Sequence, residues 1–376
     1  MKQTSGFLST YSADAFGICS ALFELGGLVV MHDASGCNST YTTHDEPRWY
    51  DMDSMVYISG LTEIEAIMGD DSKLISDVVD AAKELKPKFI AIVSTTIPAM
   101  TGFDADAAAN VIEAETGIPS MGFKTTGMNS YVKGADVAFV TLAERFVKKE
   151  NEIIDSKECS EKINILGLTP LDFSINGSAE SIKLWFENKG YSILSTWAMG
   201  SSLEDISGAG KAGINYVVSS TGIGAAKKLK EIFGTEYRVG LPIDGEFIDV
   251  SNEISDTPND NLEKEEITGL VIGESVTSAA LAKYLTGKTG VNYSFFASTD
   301  SDEDEITELI TSLKGLKTVI ADPLFERIIR VCEAKNGTGE KIKFVSLPHE
   351  AYSGRLYRNQ IPNLVKSSGL ILDRTK

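Results

Sequence analysis

The stretch Leu25-Gly26-Gly27-Leu28-Val29-Val30-Met31-His32-Asp33-Ala34-Ser35-Gly36-Cys37, preceded by Phe16-Gly17-Ile18-Cys19, decides the fold. Its apolar run is short, β-branched and bounded by glycine, the pattern of a strand buried on both faces in a parallel sheet. Cys37 then sits in the turn at that strand's carboxyl end. Open α/β sheets bind ligands there, and Gly36 lets the backbone approach one closely. Cys19 falls on a short helical stretch before the strand, so a fold that joins the two approaches sets two thiolates on one side of a site. Iron–sulfur clusters and closed zinc sites usually take four protein ligands, which makes this pair half a site. A two-fold homodimer supplies the other half, because an isologous interface sets each residue against its symmetry mate.

Outward from this stretch, strand-like runs alternate with helical periodicity, as in βα units on parallel sheets. The first region carries Gly27 to Met31, Phe89 to Ser94 and Ala138-Phe139-Val140 as strands, with a helix over Ser72 to Ala82. Charge density rises from Lys148 to Lys162, a linker. A second unit opens with the strand Ile163 to Leu168, then the helix Ser178 to Lys189, strands at Tyr191 to Leu194 and Gly213 to Ser220, and a helix from Ala225 to Phe233. The acidic run Ser255 to Glu266 closes it. The third has strands at Gly269 to Gly273, Tyr293 to Ala297, Thr318 to Ile320 and Lys343 to Val345, and a helix from Val276 to Leu285. The expected architecture is α/β: three Rossmann-like, doubly wound parallel-sheet domains around a central cleft, spanning 1–158, 159–266 and 267–376.

The 376 residues exceed what one core usually fills, and 42% apolar content is that of an ordinary globular chain. A net charge of −19 argues against nucleic acid or an anionic membrane as partner. No segment is long and apolar enough to span a bilayer, and Met1-Lys2-Gln3-Thr4 lacks the order of a signal peptide, so the expected location is the cytoplasm. Cys19, Cys37, Cys159 and Cys332 are too few and scattered for a disulfide framework. Cys159 reads as exposed in a polar run and Cys332 as packed on a helix.

Gly287-Lys288-Thr289 looks like the end of a phosphate-binding loop, but its first glycine would fall at Ala282 and the segment ends a helix instead of opening one. It reads as a helix stop; this chain binds no nucleotide, and any ATP is bound by another chain. Ser219-Ser220-Thr221-Gly222-Ile223-Gly224 follows a strand and precedes a helix, so its amides could hold an anion, although a tight βα turn explains it too. Asp300 to Glu305 lacks a calcium loop's spacing and reads as a helix N-terminus. Three histidines and no serine elbow give a hydrolase triad little support. His32 reads as packed against the strand end. His349, in the polar loop Leu347 to Arg355, could reach an interdomain cleft together with Arg355.

The order of these motifs resembles the component 1 family of nitrogenases and nitrogenase-like reductases. There, a cysteine among small residues precedes a strand ending in His-Gly-x-x-Gly-Cys. Cys19 and His32-Asp33-Ala34-Ser35-Gly36-Cys37 match, with Asp33 in a glycine's place. The family's acidic pair before a glycine turn and Lys-Leu is similar to Leu61 to Leu74, and its Ser-Thr-Cys turn is similar to Ser94-Thr95-Thr96 through Gly102 and Asp104. The motifs cover the first third of the chain; beyond it, only the spacing of α/β units matches.

Two departures narrow what the resemblance implies. Thr96 replaces a third cluster cysteine, and a hydroxyl is a poor iron ligand beside a thiolate. No cysteine anchors a nitrogenase metal cofactor, so dinitrogen reduction is not implied. The resemblance then implies an electron-accepting catalytic component that holds one 4Fe-4S cluster between two subunits through Cys19 and Cys37, with Gly36, Thr95, Thr96 and Gly102 shaping its pocket. It implies a homodimer, or a heterodimer with a related subunit, and a separate ATP-hydrolysing iron–sulfur reductase as partner. The substrate, a small molecule or tetrapyrrole, would lie in the interdomain cleft, with His349, Glu350 and Arg355 as its candidate contacts. The alternative is a cluster-free binding or scaffold protein of this fold carrying a metal centre or tetrapyrrole.

Overall fold

A computed structural model describes residues 12–36, 38–41, 45–148, 161–254, 267–336 and 341–375. It contains three sheets built on one plan. The first comprises β1 (Leu28–His32), β2 (Met55–Ile58), β3 (Ile90–Ser94) and β4 (Ser120–Phe123), all parallel, in the order β2-β1-β3-β4. Around it lie α1 (Asp14–Leu22), α2 (Glu63–Met68), α3 (Ser72–Leu85), α4 (Thr96–Thr101), α5 (Ala105–Thr116) and α6 (Tyr131–Arg145).

The second sheet comprises β5 (Lys162–Leu168), β6 (Ser192–Ala198), β7 (Ile214–Val217), β8 (Glu236–Ile243) and β9 (Glu246–Asp249), in the order β6-β5-β7-β8-β9. Only β9 is antiparallel. Its helices are α7 (Pro170–Phe173), α8 (Ser178–Asn188), α9 (Leu203–Ser207) and α10 (Ile223–Phe233). The third sheet, β10 (Gly269–Gly273), β11 (Tyr293–Ala297), β12 (Thr318–Ala321) and β13 (Lys343–Ser346), is parallel in the order β11-β10-β12-β13. Helices α11 (Ser275–Thr289), α12 (Glu303–Ser312), α13 (Glu326–Asn336), α14 (Glu350–Tyr357) and α15 (Leu364–Thr375) accompany it.

In each sheet the order of strands reverses between the first and third, which is where such sheets leave a crevice beyond the strand ends. The central strands β1, β3 and β12 are buried along their whole length. Helix α3 shows the complementary rule, burying Leu74, Val78, Val79 and Ala82 on one face. The units are not independent. Helix α11 packs on β8, α15 returns from the third unit onto α8 and β8, and α6 packs against α10.

Helices α1 and α6 cross closely enough to need glycine. A Cβ on Gly17 would lie 2.1 Å from the Tyr131 carbonyl oxygen, and one on Gly134 would lie 1.8 Å from that of Asp14. This contact fixes the helix that carries Cys19. The Asp14 carboxylate reinforces it by accepting from Gly127 N at 2.8 Å and Asn129 Nδ2 at 2.9 Å.

Several expectations need correction. Ala138-Phe139-Val140 is not a strand but part of α6, where Tyr131, Ala135, Ala138, Phe139 and Leu142 are buried at helical spacing. A three-residue apolar run does not distinguish the two periods. The segment from His349 to Arg355 is not a loop: His349 caps α14, whose first residue is Glu350. Strands β2, β4, β8 and β9 went unread. The linker at 148–162 and the acidic run at 255–266 fall largely or wholly outside the described residues, as does Cys159. Cys332 is buried on α13. Among the described residues, no helix is long and apolar enough to cross a membrane.

Candidate functional site

The carboxyl ends of the second and third sheets face each other across Asp172. After β5, Thr169 caps α7 with Pro170 at its first position, which needs no N–H there. Asp172 follows within that turn. Its Oδ2 accepts from Thr169 Oγ1 at 2.7 Å and from Ser219 Oγ, at the end of β7, at 2.6 Å. Its Oδ1 accepts from the hydroxyl of Tyr131, the first residue of α6. From the third unit, Glu274 after β10 accepts from Ser220 N at 2.9 Å and from Val276 N and Thr277 N at its own helix start. Asp322 after β12 accepts from His349 N at 2.9 Å and Ser353 Oγ at 2.6 Å. The His349 Nε2 lies 3.8 Å from Asp172 Oδ1. All three units thus meet at one buried acid.

Burial sets the charges here. It raises the Asp172 carboxyl to about 7, the neighbouring Glu274 charge adding to the shift against three hydroxyl bonds. Burial lowers the His349 imidazole to about 4. Tyr131 and Tyr352 are pushed up for the same reason. The cavity between these groups is about 40 Å³, lined by Asp172, Glu274, Thr277, Asp322, His349 and Tyr352 among others.

Of the three candidate substrate contacts, His349 lines this cavity and the others do not. Glu350 is buried, its carboxylate accepting from Ser174 Oγ at 2.7 Å and from Arg358 Nε and Nη2 at 2.9 and 2.6 Å. Arg355 is half-exposed and ion-paired with Asp45. The turn at Ser219 to Gly224 does hold anions, but they are the protein's own carboxylates: Ser220 N donates to Glu274, and Gly224 N donates to Asp136 Oδ1 at 2.7 Å. Asp172, Glu274, Asp322 and Tyr131 were not anticipated. The acids carried a signal, each lying at a helix start just after an apolar strand.

Cys19 lies on α1, fully buried. The ring of Phe16 stacks on Tyr41, with centroids 5.0 Å apart, and the Tyr41 hydroxyl donates to Glu46 Oε2 at 3.0 Å. Arg48 donates through Nε to Glu46 at 2.6 Å, through Nη1 to Glu24 at 2.8 Å and through Nη2 to the Ser20 carbonyl at 2.7 Å. Burial, and secondarily the Glu46 charge, push the Cys19 thiol up. Gly36 is exposed, and a Cβ there would meet nothing within 4 Å. Thr95 is buried, its hydroxyl donating to the His32 carbonyl at 2.9 Å; Thr96 is exposed at the start of α4, and Gly102 ends that helix at φ 86°. His32 packs as expected, its Nδ1 2.8 Å from Ser59 Oγ and its ring against Phe103.

Cys37 lies outside the described residues. Among those described, no group of three His, Cys, Asp or Glu side chains could hold a metal ion. One enclosed thiol beside a carboxylate does not make an iron–sulfur site by itself.

Comparison with known proteins places these features in a family. Residues 19–251, more than half of the chain, match the model of "Nitrogenase component 1 type Oxidoreductase". The nitrogenase molybdenum-iron protein alpha chain of Methanothermobacter thermautotrophicus is 23% identical over 94% of this chain and 77% of its own length. That organism's nitrogenase molybdenum-iron protein beta chain is 27% identical over 37% of this chain, which spans 31% of the relative. The nitrogenase iron-molybdenum cofactor biosynthesis protein NifE of Clostridium pasteurianum is 27% identical over 48% of this chain and 38% of its own length. A solved structure, "Nitrogenase Cp1 at pH 5", superposes with a TM-score of 0.63 at 14% identity, covering 99% of this chain and 90% of that one, a likeness of fold. The chain therefore belongs to the nitrogenase component 1 type oxidoreductase family.

Proposed function

We propose that this protein is the electron-accepting component of a nitrogenase-like reductase, in which Cys19 and Cys37 of two subunits hold a shared 4Fe-4S cluster. The observation that carries the reading is an apolar surface, left exposed among the described residues, beside the turn from Asp33 to Gly36. Helix α2 is held by a capping box between Thr62 and Glu65 and has no buried residue. It presents Ile64, Ile67 and Met68, each about three-quarters exposed, beside Met100 of the adjoining α4 at 83%. Leu61 N, just before α2, donates to the Asp33 carbonyl at 2.8 Å, tying this surface to the turn after β1. Clustered exposed apolar side chains of this kind are what a protein-docking surface offers. The occupant we assign is the ATP-hydrolysing iron–sulfur reductase, delivering electrons at this face. When bound, a cluster would supply one-electron storage; this chain's own residues supply the buried acid and histidine.

Anaerobic purification of the full chain tests the reading. A brown dimer with about four irons, lost on Cys37→Ala, is the expected result. A colourless, iron-free dimer from anaerobic cells sinks it.

A second reading, a carrier or scaffold in the assembly of a metal centre, is favoured by the similarity to cofactor biosynthesis proteins. The cavity at Asp172 also bears on this choice. At about 40 Å³ it is far below the ~300–1,000 Å³ of sites that enclose a whole ligand. A tetrapyrrole enters only if the facing sheet ends separate. Tight binding of a tetrapyrrole or metal centre by iron-free protein, without its reduction, distinguishes the carrier.

A further inference from the structure

The small cavity at the three-unit junction is chemically one-sided. Two of its carboxylates are satisfied by this chain: Glu274 by the amides of Ser220, Val276 and Thr277, Asp322 by the amides of Leu324 and His349 and the hydroxyl of Ser353. His349 differs. Its Nδ1 accepts from Ala351 N at 3.3 Å, capping α14, so the neutral ring carries its proton on Nε2. That atom is buried and has no hydrogen-bond partner among the described residues. An anion entering here meets three acidic side chains. A neutral acceptor meets a free N–H with Asp172 3.8 Å away.

We propose that this cavity receives the neutral C=O or C=N end of the molecule to be reduced, with His349 Nε2–H as its positioning donor and Asp172 as the acid that protonates it. The inference rests on the reductive reading above. In the step, the Asp172 O–H bond breaks and an O–H or N–H bond forms on the substrate. The carboxylate left behind is held by the hydroxyls of Tyr131, Thr169 and Ser219. The two electrons come from the docked iron–sulfur protein; as they enter, the C=O or C=N π bond breaks and the carbon takes the second proton, from water, to form a C–H bond. With its carboxyl raised to about 7, Asp172 retains a proton near neutrality, while His349, lowered to about 4, remains a neutral donor. The cavity's size admits one or two small groups, the end of a substrate and not its body.

Formamide, a small neutral carbonyl compound, is the binding probe. In the full chain labelled with nitrogen-15 histidine, it is expected to shift the His349 Nε2–H resonance saturably. His349→Ser retains a side-chain cap for α14 and should bind formamide about tenfold more weakly while its circular dichroism shows it folded as wild type. Infrared difference spectra should show a protonated carboxyl at pH 6 that vanishes in Asp172→Asn. In the iron-loaded protein, Asp172→Asn should lower reduction by about 10²–10³-fold and abolish the fall in rate above pH 7. Formamide that leaves His349 unmoved, or an Asp172→Asn protein with the wild-type pH profile, overturns the inference. Loss of iron from wild type would defeat the reductive reading instead, and the formamide and infrared results are read without it.

Discussion

Arg355, on α14 of the third unit, is ion-paired with Asp45, the residue before Glu46, whose charge acts on the Cys19 thiol. Helix α14 therefore joins two places: His349 at its start faces the cavity, and Arg355 near its end tethers the segment over Cys19. The arginine is half-exposed while Asp45 is buried, so the pair is less screened than a surface ion pair. Arg355→Ala should speed alkylation of Cys19 in iron-free protein by about fivefold, through easier local opening. Peptide mapping by mass spectrometry separates Cys19 from the other thiols. An unchanged rate means that the tether does not control access.

The buried guanidinium of Arg48 is the stronger lock. It lies between Glu24 and Glu46, with all three side chains little exposed or buried. Removing it leaves the buried Glu46 carboxylate with the Tyr41 hydroxyl but no cation and deprives Glu24 of its ion pair, and Arg48→Ala should cost about 3–5 kcal/mol in urea unfolding. Glu46→Gln acts on the thiol instead. It removes a neighbouring negative charge, so the Cys19 pKa should fall and alkylation at fixed pH accelerate. A Glu46→Gln protein whose Cys19 titrates as in wild type would refute the electrostatic part of this account.

Stability should respond to pH through Asp172 and His349 in opposite directions. The Asp172 carboxyl is raised from 3.8 to about 7 on folding, so its contribution is fully present below 3.8 and lost as pH rises through 7. The imidazole of His349 is lowered from 6.5 to about 4, so its contribution is fully present above 6.5 and lost as pH falls through 4. Asp172→Asn should therefore be most costly near pH 4 and progressively less so toward pH 8. Urea midpoints of the two proteins across that range test it; a constant difference would show that Asp172 ionises alike in both states.

Runs such as Gly269 to Gly273 and Tyr293 to Ala297 were legible because short apolar or aromatic segments between polar flanks suit a buried strand better than a helix of ordinary length. Strand β4 was not, since Ser120 and Gly122 break its apolar pattern, and neither was the edge strand β2, where Tyr57 faces outward. At the candidate site, His349 was legible as a histidine beyond a strand. Glu350 and Arg355 were misplaced because helical phase turns them away from the cavity. Asp172 was hidden by distance: its partners Tyr131 and Ser219 are 41 and 47 residues away, on elements that only the folded sheets bring together. The apolar residues of α2 were read as part of a motif, and only burial reveals that they face outward.

That outward face supplies the sharpest test of partnership. Ile67 and Met100 are 76% and 83% exposed, so replacing either with glutamate removes almost no packing and should change stability by less than about 0.5 kcal/mol. If the reductase docks here, however, each glutamate places a charge in the centre of an apolar contact. Central contacts of this kind are worth about 2 kcal/mol or more, roughly a thirtyfold loss of affinity. Ile67→Glu and Met100→Glu should therefore retain the wild-type melting temperature and iron content while electron transfer from the reductase falls to a few per cent, with recovery at high reductase concentration. Full transfer in both variants would move the docking site elsewhere on the molecule, leaving α2 exposed for another reason.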